Sequence, residues 1–196
     1  MNTSQPAMSV ADAIVQRRSV RSYAQGMLEH DTIRALLAAA IHAPTAVHEE
    51  PWAFAIVQGG ALLKQLSQTV RAPSSDARER DQAEESRQNM ARFANPDFNI
   101  FYGAETLIVI CAKTAGAFVA ADCWLAAENL MLAACAMGLG TCVIGSAVSG
   151  LNKRQVKAAL SIPEAALVVV PIIVGKLNAT EAPTPRAEPL ILSWKT

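Results

Sequence analysis

The spacing of apolar residues predicts five helices. Between residues 30 and 42 apolar side chains recur at intervals of three and four, which is typical of an amphipathic helix, and Pro44 ends it. The segment 118–137 is apolar on nearly every face, so we expect a helix in the middle of the domain rather than on its rim. Gly138-Leu139-Gly140 follows it and is interpreted as its cap. The remaining predicted helices cover residues 10–16, 61–69 and 152–160.

Short apolar runs predict four strands. The most continuous run, 106–112, is rich in β-branched residues and indicates a buried central strand. The other predicted strands cover residues 52–57, 141–144 and 167–174. Helices that alternate with a few strands indicate an α+β or α/β fold with one central sheet. Residues 1–196 are predicted to form a single domain, because 52% hydrophobic content at this length suffices for one core.

Two segments depart from this pattern. Residues 71–97 are densely charged with both signs interspersed, which favours a solvated helix or surface excursion over a mobile lid. Residues 176–196 form a C-terminal arm, rich in proline, that ends in Leu190-Ile191-Leu192-Ser193-Trp194. An apolar end of this kind needs a sheet edge to pair with, either on its own sheet or on another chain.

The bulk composition argues against several classes of function. Lys+Arg and Asp+Glu both number 17, so the formal net charge is zero and neither nucleic acid nor a membrane is the expected partner. The best candidate for a membrane span, 115–140, is interrupted by Asp122, Glu128 and Asn129. The four cysteines lack the spacing of a zinc site, so no metal is expected. The N-terminus has no signal-peptide pattern, and a cytoplasmic location is the expectation.

The segment Arg17-Arg18-Ser19-Val20-Arg21-Ser22-Tyr23 carries most of the candidate chemistry. In an extended chain Arg17, Ser19 and Arg21 point to one side, because side chains alternate with a period of two. Two guanidinium groups and a hydroxyl could therefore meet one anionic ligand, with Arg18 facing the other way. A solvated basic turn explains the same residues equally well when they are taken alone.

Motifs for other chemistries are absent from the sequence. Gly138-Leu139-Gly140 precedes a predicted strand and lacks the third glycine of a dinucleotide-binding fingerprint. There is no P-loop, no Gly-x-Ser-x-Gly elbow, no His-Glu-x-x-His motif and no evident pair of catalytic carboxylates. A chain with anion-binding side chains but no evident catalytic ones suits a protein whose chemistry resides in a bound cofactor.

Five segments resemble, in order, the motifs of the nitroreductase family of flavin mononucleotide (FMN) enzymes. They are 17–23, 43–52, 95–111, 122–145 and a C-terminal signature that combines Val174-Gly175, Pro185-Arg186 and Trp194. The resemblance spans residues 10–194, and five motifs in the right order are more specific than any one of them. It implies an α+β fold whose mixed or antiparallel sheet is flanked by helices. It also implies an intertwined homodimer in which the C-terminal arm wraps the partner and one FMN lies at each of two interfacial sites.

The same resemblance implies roles for the charged residues. Arg17 and Arg186 would hold the FMN phosphate, and Ser19 would support the phosphate or the ring edge. Arg21 would face the N1/O2 edge, where a cation stabilises negative charge on the reduced ring. Arg18 is a further cofactor-binding candidate in the same segment. Without the family, Arg186 fits a solvated position in a proline-rich loop.

Backbone segments would surround the flavin ring. By the same resemblance, Pro44, Thr45 and Ala46 of the other subunit would pack along the ring. The strand end at Ile144 and Gly145 would lie behind it, with backbone amides near N5. Each position also has a plain structural interpretation, since Thr45 suits an ordinary turn and Gly145 suits the end of a strand.

The loop around His48 departs from the family's pattern. The family commonly has Ala-Pro-Ser-x-x-Asn-x-Gln-Pro-Trp, whereas residues 43–52 are Ala-Pro-Thr-Ala-Val-His-Glu-Glu-Pro-Trp. His48 would donate to the ring or titrate near neutral pH beside Glu49 and Glu50, or all three belong to an exposed acidic loop. This departure affects the expected substrate class more than it affects the expected binding of flavin. Asn89 is the candidate for the family's polar contact from the middle helix.

The activity implied by the resemblance is that of an NAD(P)H-dependent FMN oxidoreductase. In a ping-pong cycle, hydride would pass from the nicotinamide to flavin N5, and a nitroaromatic or quinone acceptor would then take the electrons. Two alternatives stay open. One is an enzyme of the same fold with another reaction, such as reductive dehalogenation or flavin breakdown. The other is a flavin-binding or storage protein with little turnover.

Overall fold

The computed structural model describes residues 8–71, 95, 97–179, 182 and 184–196. Its helices are α1 (Val10–Gln16), α2 (His30–Ala40), α3 (Gly60–Val70), α4 (Val119–Ala136), α5 (Val148–Leu151) and α6 (Arg154–Ala159). Its strands are β1 (Trp52–Gln58), β2 (Thr106–Ala112), β3 (Leu139–Val143) and β4 (Leu167–Lys176). Two 3-10 turns cover Ala46–His48 and Gly145–Ala147. Most of the predicted charged excursion, 71–97, lies outside the described residues.

The four strands form one antiparallel sheet in the order β1-β2-β4-β3. Every residue of β2 is buried, as its uninterrupted apolar run predicted, because helices cover both faces of the sheet. Leu36 of α2 and Leu130 of α4 pack on one face, and Leu63 of α3 packs on the other. The prediction of an α+β domain with one central sheet is therefore confirmed.

Helix α4 is only partly enclosed. By length and composition alone it could cross a membrane, a test that the core helix of a folded domain also passes. In this structure it packs on α2 and the sheet, and it buries Leu130 and the carboxylate of Asp122. Its other side leaves Trp124 and Leu125 exposed, with Phe118 just before it. The apolar residues on nearly every side of 118–137 predicted a helix in the middle of the domain. Within a single chain, one side of α4 is buried and the other side is exposed.

Two predicted boundaries are wrong. Gly138 ends α4 with a φ of 72°, but Leu139 and Gly140 already belong to β3, because β4 continues to Lys176 and pairs with them. The helix predicted over 152–160 is shorter, because α6 begins at Arg154 and ends at Ala159, and a separate helix, α5, precedes it. The Asn152 side chain exchanges two hydrogen bonds of 2.9 Å with the backbone of Val168, which ties the chain to β4 between the two short helices.

The arginine-rich segment, residues 17–23, lies along the free edge of β3. Ser19 forms an isolated parallel bridge with Thr141, and the Val20 N–H donates to the Thr141 carbonyl at 2.9 Å. Tyr23 forms a second bridge with Leu177, just beyond the end of β4. These backbone contacts attach the segment to the sheet at both ends.

Two glycines that face each other across the β3–β4 ladder make room for this segment. A Cβ on Gly140 would lie 2.8 Å from side-chain carbons of both Val20 and Leu177. A Cβ on Gly175 would lie 3.0 Å from the Tyr23 ring. Since real Cβ atoms do not approach within 3.0 Å of other carbons, Gly140 is required by packing rather than by helix capping.

We expect Gly140→Ala to lower the free energy of unfolding by about 1–3 kcal/mol, because the added methyl group overpacks against Val20. Urea denaturation would measure the change. Gly145→Ala is the matched control, since a Cβ there meets no atom within 4 Å, and we expect a change below about 1 kcal/mol. Equal losses in both variants would contradict the packing argument.

Candidate functional site

Three side chains of the arginine-rich segment act on the pKa of the Cys142 thiol in β3. Burial raises the pKa of the Cys142 thiol, while Arg21, Arg17 and a hydrogen bond with Ser19 act in the opposite direction. Of the three, Ser19 is the one with a hydrogen bond to the thiol, while the two guanidinium groups act on it through their charge. Together they give this end of the sheet a cationic surface.

The three arginines of the segment have different partners. Arg17 Nε lies 3.7 Å from a carboxylate oxygen of Glu128 on α4, a surface pair that contributes little to stability. Arg18 donates from Nη1 to the carbonyls of Val15 and Arg17 at 2.6 and 2.8 Å, and from Nε to that of Ala182 at 3.2 Å. These bonds tie the end of α1 to the start of the C-terminal arm. Cofactor binding by Arg18 stays a prediction, and it competes with this structural use.

Arg21 has an aromatic neighbour. Its guanidinium lies over the Tyr102 ring, 5.8 Å from the ring centre. Nothing in the spacing of the sequence links Tyr102 to a residue so distant in the chain. The exposed side chain of Arg21 therefore keeps its N–H edges available while its charge is held in place.

The turn after β3 offers backbone donors. The Ile144 N–H donates to the Pro171 carbonyl at 2.9 Å and its side chain is buried. The N–H groups of Gly145 and Ser146 begin the 3-10 turn and have no acceptor in the described part of the chain. Gly145 has neither a positive φ nor a crowded Cβ position, so nothing in its own chain requires glycine there. The space and the two donors suit a flat, hydrogen-bonding ligand.

A second candidate segment is the turn at Thr45 and Ala46. The Ala46 N–H donates to Asp122 Oδ1 at 3.3 Å, so a carboxylate that is only 5% exposed serves as the N-terminal cap of this 3-10 turn. His48 and Glu50 have φ values of 57° and 43°, which are uncommon for residues other than glycine. In the sequence, Asp122 stands out only as an interruption of an apolar helix. No local signal joins it to a backbone group 76 residues away.

One chain does not bring the two segments together. The 44–48 turn is attached at Asp122, and Arg17 pairs with Glu128, six residues further along α4, which corresponds to about 9 Å along the helix axis. Among the described residues, no hydrogen bond or ion pair joins the turn to the arginine-rich segment. Arg186 lies in the exposed arm, with no hydrogen bond or ion pair to another described residue. The position of Asn89 is outside the described residues.

Comparison with known proteins identifies the family. The profile of the nitroreductase family matches residues 14–176. The chain belongs to this family. A protein of Archaeoglobus fulgidus, provisionally named NADH dehydrogenase/NAD(P)H nitroreductase, is 26% identical over 167 residues, which is 83% of this chain and 82% of that protein. A protein of Methanothermobacter thermautotrophicus with the same provisional name is 27% identical over 163 residues, 80% of this chain and 71% of its own.

Solved structures of nitroreductases share the fold. The nitroreductase of Bacteroides fragilis with bound FMN is 25% identical and superimposes with a TM-score of 0.77 over 95% of this chain and all of that one. Iodotyrosine deiodinase, bound to FMN and 3-iodo-L-tyrosine, covers 96% of this chain and all of its own with a TM-score of 0.76. Its identity is 20%, so this likeness shows the fold alone. The predicted resemblance to the nitroreductase family is confirmed.

We expect Asp122→Ala to lower the free energy of unfolding by about 0.5–2 kcal/mol, because the Ala46 N–H loses its capping acceptor. Asp122→Asn keeps an oxygen at the same place and should retain most of the stability. Urea denaturation of both variants measures the difference. If the two substitutions cost the same, the carboxylate does not act as a cap.

Proposed function

We propose that this protein is an FMN-dependent oxidoreductase that uses NAD(P)H to reduce an electron-poor acceptor, such as a nitroaromatic compound or a quinone. The observation that carries the proposal is the turn after β3. There, Gly145 leaves open space beside two backbone N–H groups that have no acceptor among the described residues, at the end of a strand whose edge bears Arg17, Ser19 and Arg21. Membership of the nitroreductase family, the FMN in the Bacteroides fragilis structure and the names of the archaeal relatives support it.

The residues at this edge fit the parts of FMN. A dianionic phosphate suits Arg17, with Arg186 brought in by the arm, and Ser19 can donate a hydrogen bond to the phosphate or the ring. Ile144 and Gly145 would back the ring. Arg21 would lie at the ring edge, and Arg18 would keep the end of α1 in place. When bound, FMN would accept hydride from the nicotinamide and pass electrons to the acceptor.

A homodimer would complete the site. Because the turn at Pro44, Thr45 and Ala46 is attached at Asp122 and has no hydrogen bond with the arginine-rich segment among the described residues, we assign it to the site of the partner subunit. The exposed apolar side of α4 supports such an assembly, and so does the C-terminal arm, in which Leu190, Leu192 and Trp194 are at least 80% exposed. A groove of about 530 Å³ beside the free edge of β1 would suit an arm of this kind.

The acidic loop, residues 48–50, would influence which acceptors enter the flavin site. His48, Glu49 and Glu50 are all exposed and sit beside the turn that we assign to the partner's ring. Two carboxylates there would favour neutral acceptors over anionic ones, since like charges repel. The nicotinamide and the acceptor would use the same open face in turn, as a ping-pong cycle requires.

The test is reconstitution followed by anaerobic reduction. Purified protein, loaded with FMN and separated from free flavin, should be yellow and should bleach when NADH or NADPH is added, and a nitroaromatic or quinone should restore the colour. A bound flavin that stays oxidised with both nucleotides would indicate a storage protein. Restoration by an iodinated or brominated phenol alone would indicate dehalogenation. Protein that cannot be loaded with FMN would contradict every flavin-based function.

Gly145→Ala provides a structural control for this experiment. It should keep the free energy of unfolding and weaken FMN binding, because the methyl group occupies the open space beside the two backbone donors. FMN affinity is measured by the change of flavin fluorescence on titration. An unchanged FMN affinity would show that the flavin ring does not lie beside Gly145.

Arg21 and Arg186 should have separable effects. Arg21→Ala should slow flavin reduction about tenfold or more while weakening FMN retention less, because a cation at the ring edge acts mainly on the reduced state. Arg186→Ala should do the reverse, with FMN affinity reduced about ten- to hundredfold by loss of a charged hydrogen bond. Stopped-flow reduction and FMN titration measure the two quantities. Arg154→Ala, at an exposed surface ion pair, is the control, and equal effects of the first two variants would contradict these roles.

A further inference from the structure

We infer that Tyr102 is a positioning residue that holds the Arg21 guanidinium at the edge of the candidate flavin site. This inference rests on the function proposed above. The guanidinium carbon of Arg21 lies 5.8 Å from the centre of the Tyr102 ring, within the range of cation–π attraction. In that proposal Tyr102 does not contact the flavin, and it acts only through Arg21.

The backbone at Tyr102 is strained and well anchored. Tyr102 has a φ of 52° and Gly103 a φ of 74°, and a left-handed conformation is rare for a bulky aromatic residue. The Tyr102 N–H donates to the Asn99 carbonyl at 2.9 Å, and the neighbours Phe101 and Ala104 are buried. The packed core therefore sets the direction of the Tyr102 side chain.

The ring of Tyr102 also has an aromatic neighbour. Phe98 contacts it edge to face, with ring centroids 5.5 Å apart and an interplanar angle of 84°. Both rings pack on the core cluster that contains Cys142 and Ile144. Tyr102 thus lies on the same side of the sheet as the end of β3, where the two backbone donors are.

The cation–π contact distinguishes Arg21 from Arg17 and Arg18, whose guanidinium groups have other partners. Arg17 is paired with a carboxylate and Arg18 with three carbonyls, so part of their donor capacity is used. Among the described residues, no carboxylate or hydrogen-bond acceptor contacts the Arg21 guanidinium. The Tyr102 ring holds it through its flat face, and both its charge and its N–H edges stay available to a ligand.

The contact is tested first without flavin. The Arg21 Nε–Hε resonance in a ¹H–¹⁵N spectrum, assigned with Arg21→Lys, should carry a ring-current shift in the apoprotein. Tyr102→Phe should keep that shift, whereas Tyr102→Leu should lose it. Tyr102→Asn is a second ring-free variant that tolerates the left-handed backbone, should the leucine variant not fold. An Arg21 resonance unchanged in the ring-free variants would overturn the inference, whatever happens with FMN.

The consequence for the reaction is tested on the FMN-loaded protein. Tyr102→Leu should lower the rate constant of flavin reduction at saturating NADH about two- to fivefold, with a smaller change in FMN affinity, and Tyr102→Phe should restore the rate. In an Arg21→Gln background, Tyr102→Leu should have no further effect, because the residue acts through Arg21. Independent, multiplicative effects of the two substitutions would overturn the positioning role. Failure of the wild-type protein to bind FMN would count against the proposed function alone.

Discussion

The packing of Val20 and Tyr23 against two paired glycines is the constraint on which the candidate site depends. Gly140 and Gly175 face each other across the β3–β4 ladder and leave a hollow that the two side chains fill. The Tyr23 hydroxyl also donates to the Val20 carbonyl at 2.7 Å, which joins the two docking residues. Val20 is buried while its neighbours Ser19 and Arg21 are exposed. A slip of one residue would bury a guanidinium and expose the valine, so burial of Val20 fixes which side chains face a ligand.

Once the segment is fixed, the partners of its arginines determine what each can do. An arginine whose donors bond carbonyls, such as Arg18, holds pieces of chain together. An arginine paired with a surface carboxylate, such as Arg17 with Glu128, can exchange that weak partner for a phosphate with little loss. An arginine held by an aromatic face keeps its charge uncompensated, which suits Arg21 for the edge of a ring that becomes more negative on reduction.

Much of this could be predicted from the sequence, and the exceptions have physical reasons. The bounds of β2 and the extent of α4 follow from long, unbroken apolar patterns. Gly140 was assigned to a helix cap because a glycine needed for close packing looks the same in sequence as one needed for a positive φ. The capping of Ala46 by Asp122 and the contact of Arg21 with Tyr102 join residues about 80 positions apart, and no local pattern encodes them.

Helix α4 links the site to the assembly. It contacts the 44–48 turn at Asp122 and the arginine-rich segment at Glu128, so within one chain it holds the two segments apart. The same helix exposes Trp124 and Leu125, which are costly to leave in water. In the proposed dimer a second copy resolves both problems at once, because it covers the apolar side of α4 and supplies the missing turn. Cofactor binding and association would then be thermodynamically coupled, with FMN stabilising the dimer that creates its site.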